Sequence, residues 1–174
     1  MYILVHYIDE PSKSQIQKCI NQIMTDFEVF DMTGIEPHFT LKYYFEKDNL
    51  EKIETICEEI SEKLTSGEYQ ITNLGDFSKE TIFLNLELDY KSEKVYQELF
   101  SKIKESKIPL EDHEKNGIHF HITLAQQTKK EFSSIMNFLS HKNFRQTQKL
   151  SNLTILYFNG EEFTIHKQYK LKNK

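Results

Sequence analysis

The chain has 174 residues, 38% of them apolar, and its 22 Lys and Arg against 27 Asp and Glu give a net charge of −5. With only 5 Gly and 3 Pro and no low-complexity stretch, this composition fits one compact domain or two tightly fused lobes and excludes a disordered tail protein. The negative charge argues against a protein that holds long nucleic acid by neutralising its phosphates, but it is compatible with a short oligonucleotide in a local pocket.

The first elements are a strand, a helix and a second strand. Residues 2–8 form an apolar run typical of a buried strand, and Ser12 or Ser14 then offers the N-cap of a helix with apolar residues at helical spacing. A loop that contains Gly34 follows. The β-branched and aromatic run 38–45 predicts the second strand.

A second helix and a hairpin complete the first half. Asp48, with Glu51 three positions later, predicts a capped helix start, and a regular apolar stripe follows it. Two strands at about 69–77 and 81–88 predict a hairpin, because alternate residues of the second strand are large and apolar.

The second half repeats this order. It predicts a helix from Ser92, a loop, a strand, a helix and two final strands joined by the Asn-Gly turn at 159–160. The loop, the strand and the final strand pair are expected at 109–117, 119–125, and about 150–158 and 162–171.

Short sequences recur at equivalent places in the two halves. HFTL at 38–41 matches HITL at 121–124, and Thr-Asn-Leu at 72–74 matches Ser-Asn-Leu at 151–153. A duplicated unit predicts an α+β fold in which residues 1–174 form a single domain of two pseudo-symmetric lobes. We expect two antiparallel sheets, one from each half, with helices outside and a cleft between them.

The pattern His-apolar-Thr-Leu is the strongest signal in the chain. The residue frequencies of this sequence give about 0.02 expected occurrences, and two are present. Side chains two positions apart on a strand share a face, so His38 and Thr40 point one way, and His121 and Thr123 do the same in the second half. A two-fold axis between the halves would bring two imidazoles and two hydroxyls around one cleft.

This set of groups suits phosphoryl chemistry. Displacement at phosphorus needs a base on the attacking oxygen and an acid on the leaving oxygen, and an imidazole can serve as either near neutral pH. Two Thr hydroxyls can hold the non-bridging oxygens. The segments PHFTLK and HFHITLA resemble the two HxTx motifs of the 2H phosphoesterase superfamily, specifically its LigT-like or 2′-5′ RNA ligase family, over essentially the whole chain.

The resemblance implies a bilobal, metal-independent enzyme that acts on 2′,3′-cyclic phosphates or 2′-5′ phosphodiesters. It implies that His38 and His121 are the acid–base pair and that Thr40 and Thr123 hold the phosphate. It also implies RNA ends or small nucleotides as ligands, with no metal and no cofactor. We expect a monomer without an obligate protein partner.

Three further residues are candidates for substrate binding. Many relatives carry an arginine two residues after the Leu of the second motif, where this chain has Gln126. Lys42 is expected on the face of His38 and Thr40, where it would supply the missing positive charge. His119 lies two residues before His121, on the same predicted face. Three tyrosines are weaker candidates for base stacking, since packing is the more ordinary role of each: Tyr43, Tyr44 and Tyr157.

Two rival functions are compatible with parts of the sequence. A metal-dependent phosphoesterase would use His119 and His121 with the nearby acidic residues and histidine at 111–113, but it leaves the first motif unexplained. A non-catalytic nucleotide-binding module would keep the cleft without turnover, and Gln126 in place of the arginine favours it. The structural alternative, in which both motif histidines serve only packing, fails to account for their matched threonines.

Compartment and redox state follow from simpler features. No apolar run reaches the roughly 20 residues of a membrane span, and the opening MYILVHYIDE is unlike a signal peptide. We therefore expect a cytoplasmic protein without membrane contact. Cys19 and Cys57 fall on apolar helix stripes, which predicts two reduced core thiols.

Overall fold

A computed structural model describes residues 1–29 and 35–172, so the predicted loop position Gly34 lies outside the described residues. The elements of the first half agree with the predicted order. They are β1 (Tyr2–Tyr7), α1 (Ser12–Phe27), β2 (His38–Phe45), a 3₁₀ turn (Lys47–Asn49), α2 (Leu50–Lys63), β3 (Glu68–Phe77) and β4 (Thr81–Leu88).

The second half contains two elements that the sequence did not predict. Its elements are α3 (Tyr90–Glu105), α4 (Asp112–Lys115), β5 (His121–Ala125), α5 (Phe132–Ser140), β6 (Gln146–Lys149), β7 (Asn152–Phe158) and β8 (Phe163–Lys170). The short helix α4 lies in the predicted loop, where the side chains of Glu111 and Glu114 form a capping box. The short strand β6 carries no apolar alternation that would reveal it.

The predicted helix caps are wrong. Neither serine caps helix α1, whose N-cap residue is Pro11. The Ser12 hydroxyl is buried against Gln146 and Gln148 of β6, and the carboxylate of Glu10 accepts both the backbone N–H and the hydroxyl of Ser14. Asp48 lies inside the 3₁₀ turn, and α2 begins without a capping side chain. A tertiary contact of Ser12, the carboxylate of Glu10 and the 3₁₀ turn before α2 thus take the place of the predicted caps.

The strands form two four-stranded antiparallel sheets, in the orders β2-β1-β7-β8 and β5-β4-β3-β6. The α+β class with two antiparallel sheets is therefore confirmed, but the expectation of one sheet per half is wrong. Strands β3 and β4 come from the first half and join the sheet of the second motif, while β7 and β8 of the second half join the sheet of the first motif. The halves are thus interlocked by strand pairing between residues far apart in sequence.

One hydrophobic cluster joins the inner faces of both sheets to the apolar faces of the long helices. Cys19 and Cys57 belong to it, and both are free thiols whose pKa is raised by burial. A smaller cluster of Ile3, Val5 and Leu156 lies on the opposite face of the first sheet. No helix in the described ranges is long and apolar enough to cross a membrane.

The two motif strands are placed by this topology. Strands β2 and β5 are each the terminal strand of a sheet, and they lie against each other. The two HxTL motifs therefore meet at the junction of the sheets.

Candidate active site

A cavity of about 440 Å³ lies where the two sheets meet. Its lining includes all four motif side chains, His38, Thr40, His121 and Thr123. The volume falls within the range of sites that hold one small ligand. The expected meeting of two imidazoles and two hydroxyls around one cleft is therefore what the structure shows.

The two histidines are held in the same way. Nδ1 of His38 lies 2.8 Å from the carbonyl oxygen of Glu36, and Nδ1 of His121 lies 2.7 Å from that of His119, in each case two residues earlier. A carbonyl oxygen only accepts, so each Nδ1 carries the proton and donates. The neutral form of each ring therefore presents the lone pair of Nε2, and neither Nε2 has a hydrogen-bond partner among the described residues.

Burial lowers the pKa of both imidazoles, because it penalises the charged form. The hydrogen bonds to the backbone carbonyls work in the opposite direction without cancelling this effect. A charge on His121 lowers the pKa of His38 further, and a charge on His119 does the same for His121. Two protons on the pair are thus disfavoured, which suits one neutral base and one protonated acid.

A β-bulge follows the threonine of each motif. Thr40 pairs with Val5, but the next pair along β1 is Leu4 with Lys42, so one extra residue is inserted in β2. In β5, Thr123 pairs with Phe83 and the next pair is Ile82 with Ala125. The inserted residue is the Leu of the motif in both halves. In β5 the bulge reverses the facing of the residues that follow Leu124. In β2 the reversal affects Lys42 but not Phe45, because a second register shift between them returns Phe45 to the core side with Leu41.

Lys42 is on the wrong face for substrate binding because of the first bulge. Its partner Leu4 belongs to the core, and Lys42 is 1% exposed and bonded to the carboxylate of Glu114 at 2.8 Å. The expectation that Lys42 shares the cleft with His38 is wrong. The second bulge has the opposite effect on Gln126, which lines the cavity as expected.

A sequence profile of the 2′-5′ RNA ligase superfamily matches residues 9–162. The chain belongs to this superfamily. No curated protein matches the chain significantly in sequence.

Solved structures with low sequence identity to this protein share its fold. TT0787 of Thermus thermophilus is 12% identical with a TM-score of 0.73, over 99% of this chain and 98% of its own. LigT of E. coli in apo form is 11% identical with a TM-score of 0.70, over 99% and 97%. The expected LigT-like fold is thus confirmed. LigT complexed with 3′-AMP is similar to the chain at 14% identity and a TM-score of 0.66, over 99% and 98%.

His119 does not line this cavity. Its ring is exposed, and Nε2 lies 2.8 Å from the side-chain oxygen of Asn85. Strand β5 begins only at His121, two residues later than predicted. His119 contributes to the site through its carbonyl oxygen, which orients the ring of His121, and through its own ring, which stacks on that ring with 5.6 Å between centroids.

The residues of the metal-dependent rival do not converge. No group of three or more His, Cys, Asp or Glu in the part of the chain that the structure describes is placed to hold a metal ion. His113 lies on α4 with its ring against Tyr43, 4.3 Å between centroids, whereas His119 bonds to Asn85.

Sequence reasoning missed Phe77, which lines the cavity while 43% exposed. Its ring lies 5.2 Å from that of His121 and 4.4 Å from that of Phe83, which also contacts His121. Gly75 makes room for this arrangement, since a Cβ there would lie 2.5 Å from the Phe83 ring. The available signal was the alternation in the hairpin, which places Phe77 and Phe83 on the face opposite Ile82. Two of the tyrosine candidates, at 43 and 44, also line the cavity.

Proposed function

We propose that this protein is a metal-independent phosphodiesterase that hydrolyses 2′,3′-cyclic phosphates or 2′-5′ phosphodiester bonds of RNA or nucleotides. One observation carries the proposal. His38 and His121, oriented alike by backbone carbonyls, present Nε2 in one cavity with Thr40 and Thr123. Membership of the superfamily supports it, and so do the structures of LigT with 3′-AMP and with phosphate.

The proton transfers follow from this placement. Nε2 of one neutral imidazole takes a proton from water as the water oxygen bonds to phosphorus. The bond from phosphorus to the 2′ or 3′ oxygen breaks, and the other imidazole, protonated, gives its proton to that oxygen. One water is consumed, a phosphomonoester with a free hydroxyl is produced, and the two histidines have exchanged protonation states.

The threonines hold the phosphate. Thr40 and Thr123 follow the histidines on the same faces, so each hydroxyl can donate to a non-bridging oxygen. Gln126 follows the bulge in β5 and lines the same cavity, and its amide N–H₂ is a neutral donor where many relatives have an arginine. In this proposal the chain acts as one domain of two pseudo-symmetric lobes, as a cytoplasmic monomer on RNA ends or small nucleotides, without a cofactor.

The test is a panel of 2′,3′-cyclic nucleotides and of 2′-5′ and 3′-5′ dinucleotides, incubated with the protein in excess EDTA. The position of the product phosphate is assigned by ³¹P NMR. We expect turnover of the cyclic or 2′-5′ compounds and none of the 3′-5′ dinucleotides. Loss of activity in EDTA that a divalent ion restores supports the metal-dependent rival, and binding without turnover supports the non-catalytic module.

A further inference from the structure

A second cavity of about 440 Å³ lies on the sheet that carries the second motif, across strands β4, β3 and β6. It is predominantly polar, and its lining includes Gln70, Thr72, Asn73, Glu87, Arg145 and Thr147. None of these residues has a place in the catalytic mechanism. The cavity is as large as the one that holds the two motif histidines.

The two cavities lie on the same face of the sheet. In β4, Phe83, Asn85 and Glu87 are two positions apart and so share one face. Phe83 contacts the ring of His121, and Glu87 lines the second cavity. Glu87 pairs with Gln70, which pairs in turn with Thr147. A polar surface therefore crosses the sheet from β5 to β6.

A β-bulge in β3 lies in the middle of this surface. Ile71 pairs with Leu86 and Leu74 with Leu84, so Thr72 and Asn73 together oppose the single residue Asn85. The amide of Asn85 links both ends, since it donates to the carbonyl of Asn73 and its oxygen lies 2.8 Å from His119 Nε2. Hydrogen bonds thus connect the second cavity to the residue that orients His121.

The segment Thr-Asn-Leu at 72–74 has a counterpart in Ser-Asn-Leu at 151–153, whose asparagine has a different role. Asn152, the counterpart of Asn73, is buried, and its amide bonds to both the N–H and the carbonyl of Tyr7. It closes the pairing of β1 with β7. Asn73 is exposed, and its side-chain amide bonds to its chain neighbours Thr72 and Leu74 rather than to another strand.

The charges of the second cavity favour a chain segment over a free anion. Arg145 is the only arginine of the sequence, is exposed, and forms no ion pair among the described residues. Glu87 lines the same cavity, so the formal charges of the lining cancel. A phosphodiester of one negative charge fits Arg145, while the neighbouring amides, hydroxyls and carboxylate match ribose hydroxyls and base edges.

We propose that the second cavity is a subsite for the nucleotide chain of an RNA whose 3′-terminal 2′,3′-cyclic phosphate lies at His38 and His121, with Arg145 on a backbone phosphate. The inference rests on the proposed function and deepens it. Strand β6 is three strand spacings from β5, or about 14 Å. A mononucleotide in the first cavity leaves the second one empty, so an oligonucleotide is the substrate that uses both.

The experiment compares a cytidine 2′,3′-cyclic phosphate with an RNA pentanucleotide ending in the same group. In Arg145→Gln we expect KM for the pentanucleotide to rise about tenfold, as for loss of one charge-assisted hydrogen bond, with kcat for both substrates unchanged. The slope of log affinity against log salt should fall in magnitude by about 0.7, the contribution of one phosphate contact. Asn73→Ala should also raise KM for the pentanucleotide and leave KM for the cyclic mononucleotide unchanged.

Lys63→Gln is the matched control, because it removes one exposed positive charge at the end of α2. It should leave both substrates unaffected. Two results would overturn the subsite. One is equal kcat/KM of the wild-type protein for the two substrates. The other is an Arg145→Gln variant whose KM is unchanged for the pentanucleotide or is raised equally for both substrates. If neither substrate is hydrolysed, the proposed function fails, and anisotropy of a labelled pentanucleotide still tests the subsite by its loss of affinity in Arg145→Gln.

Discussion

Nζ of Lys42 lies 2.8 Å from Oε2 of Glu114, and both side chains are almost completely buried. The carboxylate of Glu114 also accepts the backbone N–H of Tyr43 and of Glu111. One ion pair therefore ties α4 to β2 immediately after the first motif. The segment that follows α4 leads directly to His121, so the pair connects the supports of both motif histidines.

Glu114→Gln should destabilise the fold by about 3–5 kcal/mol, because it leaves a buried ammonium without its anion. Urea denaturation measures the change in the free energy of unfolding. The double variant Lys42→Met/Glu114→Gln should recover part of the loss, since the buried charge is gone. Glu59→Gln, which breaks a partly exposed pair with Lys102, is the control and should have a much smaller effect. A fully stable Glu114→Gln protein would contradict the prediction.

His38→Ala and His121→Ala should each lower kcat by about 10²–10⁴-fold, since each removes one proton-transfer partner. The double variant should lose much less than the product of the two factors, because the pair acts as a unit. Steady-state kinetics on a 2′,3′-cyclic nucleotide measures both. His141→Ala is the control, at an exposed histidine after α5. Wild-type turnover in either motif variant would remove the two-histidine mechanism.

Thr40→Ala and Thr123→Ala should be milder than the histidine variants. Each removes one hydrogen bond to a charged phosphate oxygen, worth about 1.5–3 kcal/mol in transition-state binding. Thr→Ser at either position keeps the hydroxyl and should restore most of kcat/KM. An alanine variant as active as its serine counterpart would show that the hydroxyl does not contact phosphate.

The dependence of kcat/KM on pH should be bell-shaped, with its maximum below about pH 6.5. Burial lowers the pKa of both His38 and His121, so both are mainly neutral at higher pH. As the pH falls, the first proton creates the acid and activates the pair, and the second removes the base. Initial rates at low substrate concentration across about pH 4 to 8 give the profile. A maximum in the alkaline range would show that the active pair is not this one.

His6 should make the fold less stable in mild acid. It is completely buried, with Nδ1 3.0 Å from the carbonyl of Asn152 and Nε2 3.3 Å from the hydroxyl of Tyr69. Burial lowers its pKa to about 4, so the unfolded chain binds this proton more tightly than the native one. The contribution of His6 to the free energy of unfolding is fully present above about pH 6.5 and is lost as the pH falls towards 4. At about pH 5 the loss is about 2 kcal/mol.

Urea denaturation at about pH 7.5 and pH 5, with His6→Gln as the comparison, isolates this contribution from those of the carboxylates. The variant should lose less stability between the two conditions than wild type. NMR titration of the wild-type imidazole provides a direct reading even if the variant folds poorly. A His6 pKa near 6.5 would contradict the prediction.

Local alternation was enough to place the first motif strand. The prediction of 38–45 matches β2, and the motif side chains share a face up to Thr40. Beyond Thr40 the same rule failed for Lys42, because the bulge at Leu41 exists only in the pairing of β2 with β1. An unpaired strand carries no sign of an inserted residue, since its own alternation is unbroken.

Short segments of the sequence were thus enough to identify the residues that can do the chemistry, since the shared facing of His and Thr two positions apart depends only on the geometry of a strand. Which of them meet was decided by long-range pairing. Each sheet combines strands of both halves and carries one motif strand at its edge, where β2 and β5 meet, and the bulges selected Gln126 over Lys42 for the cavity. The polar surface that leads to Arg145 arose in the same way, because it lies across strands β4, β3 and β6, whose pairing joins residues far apart in sequence.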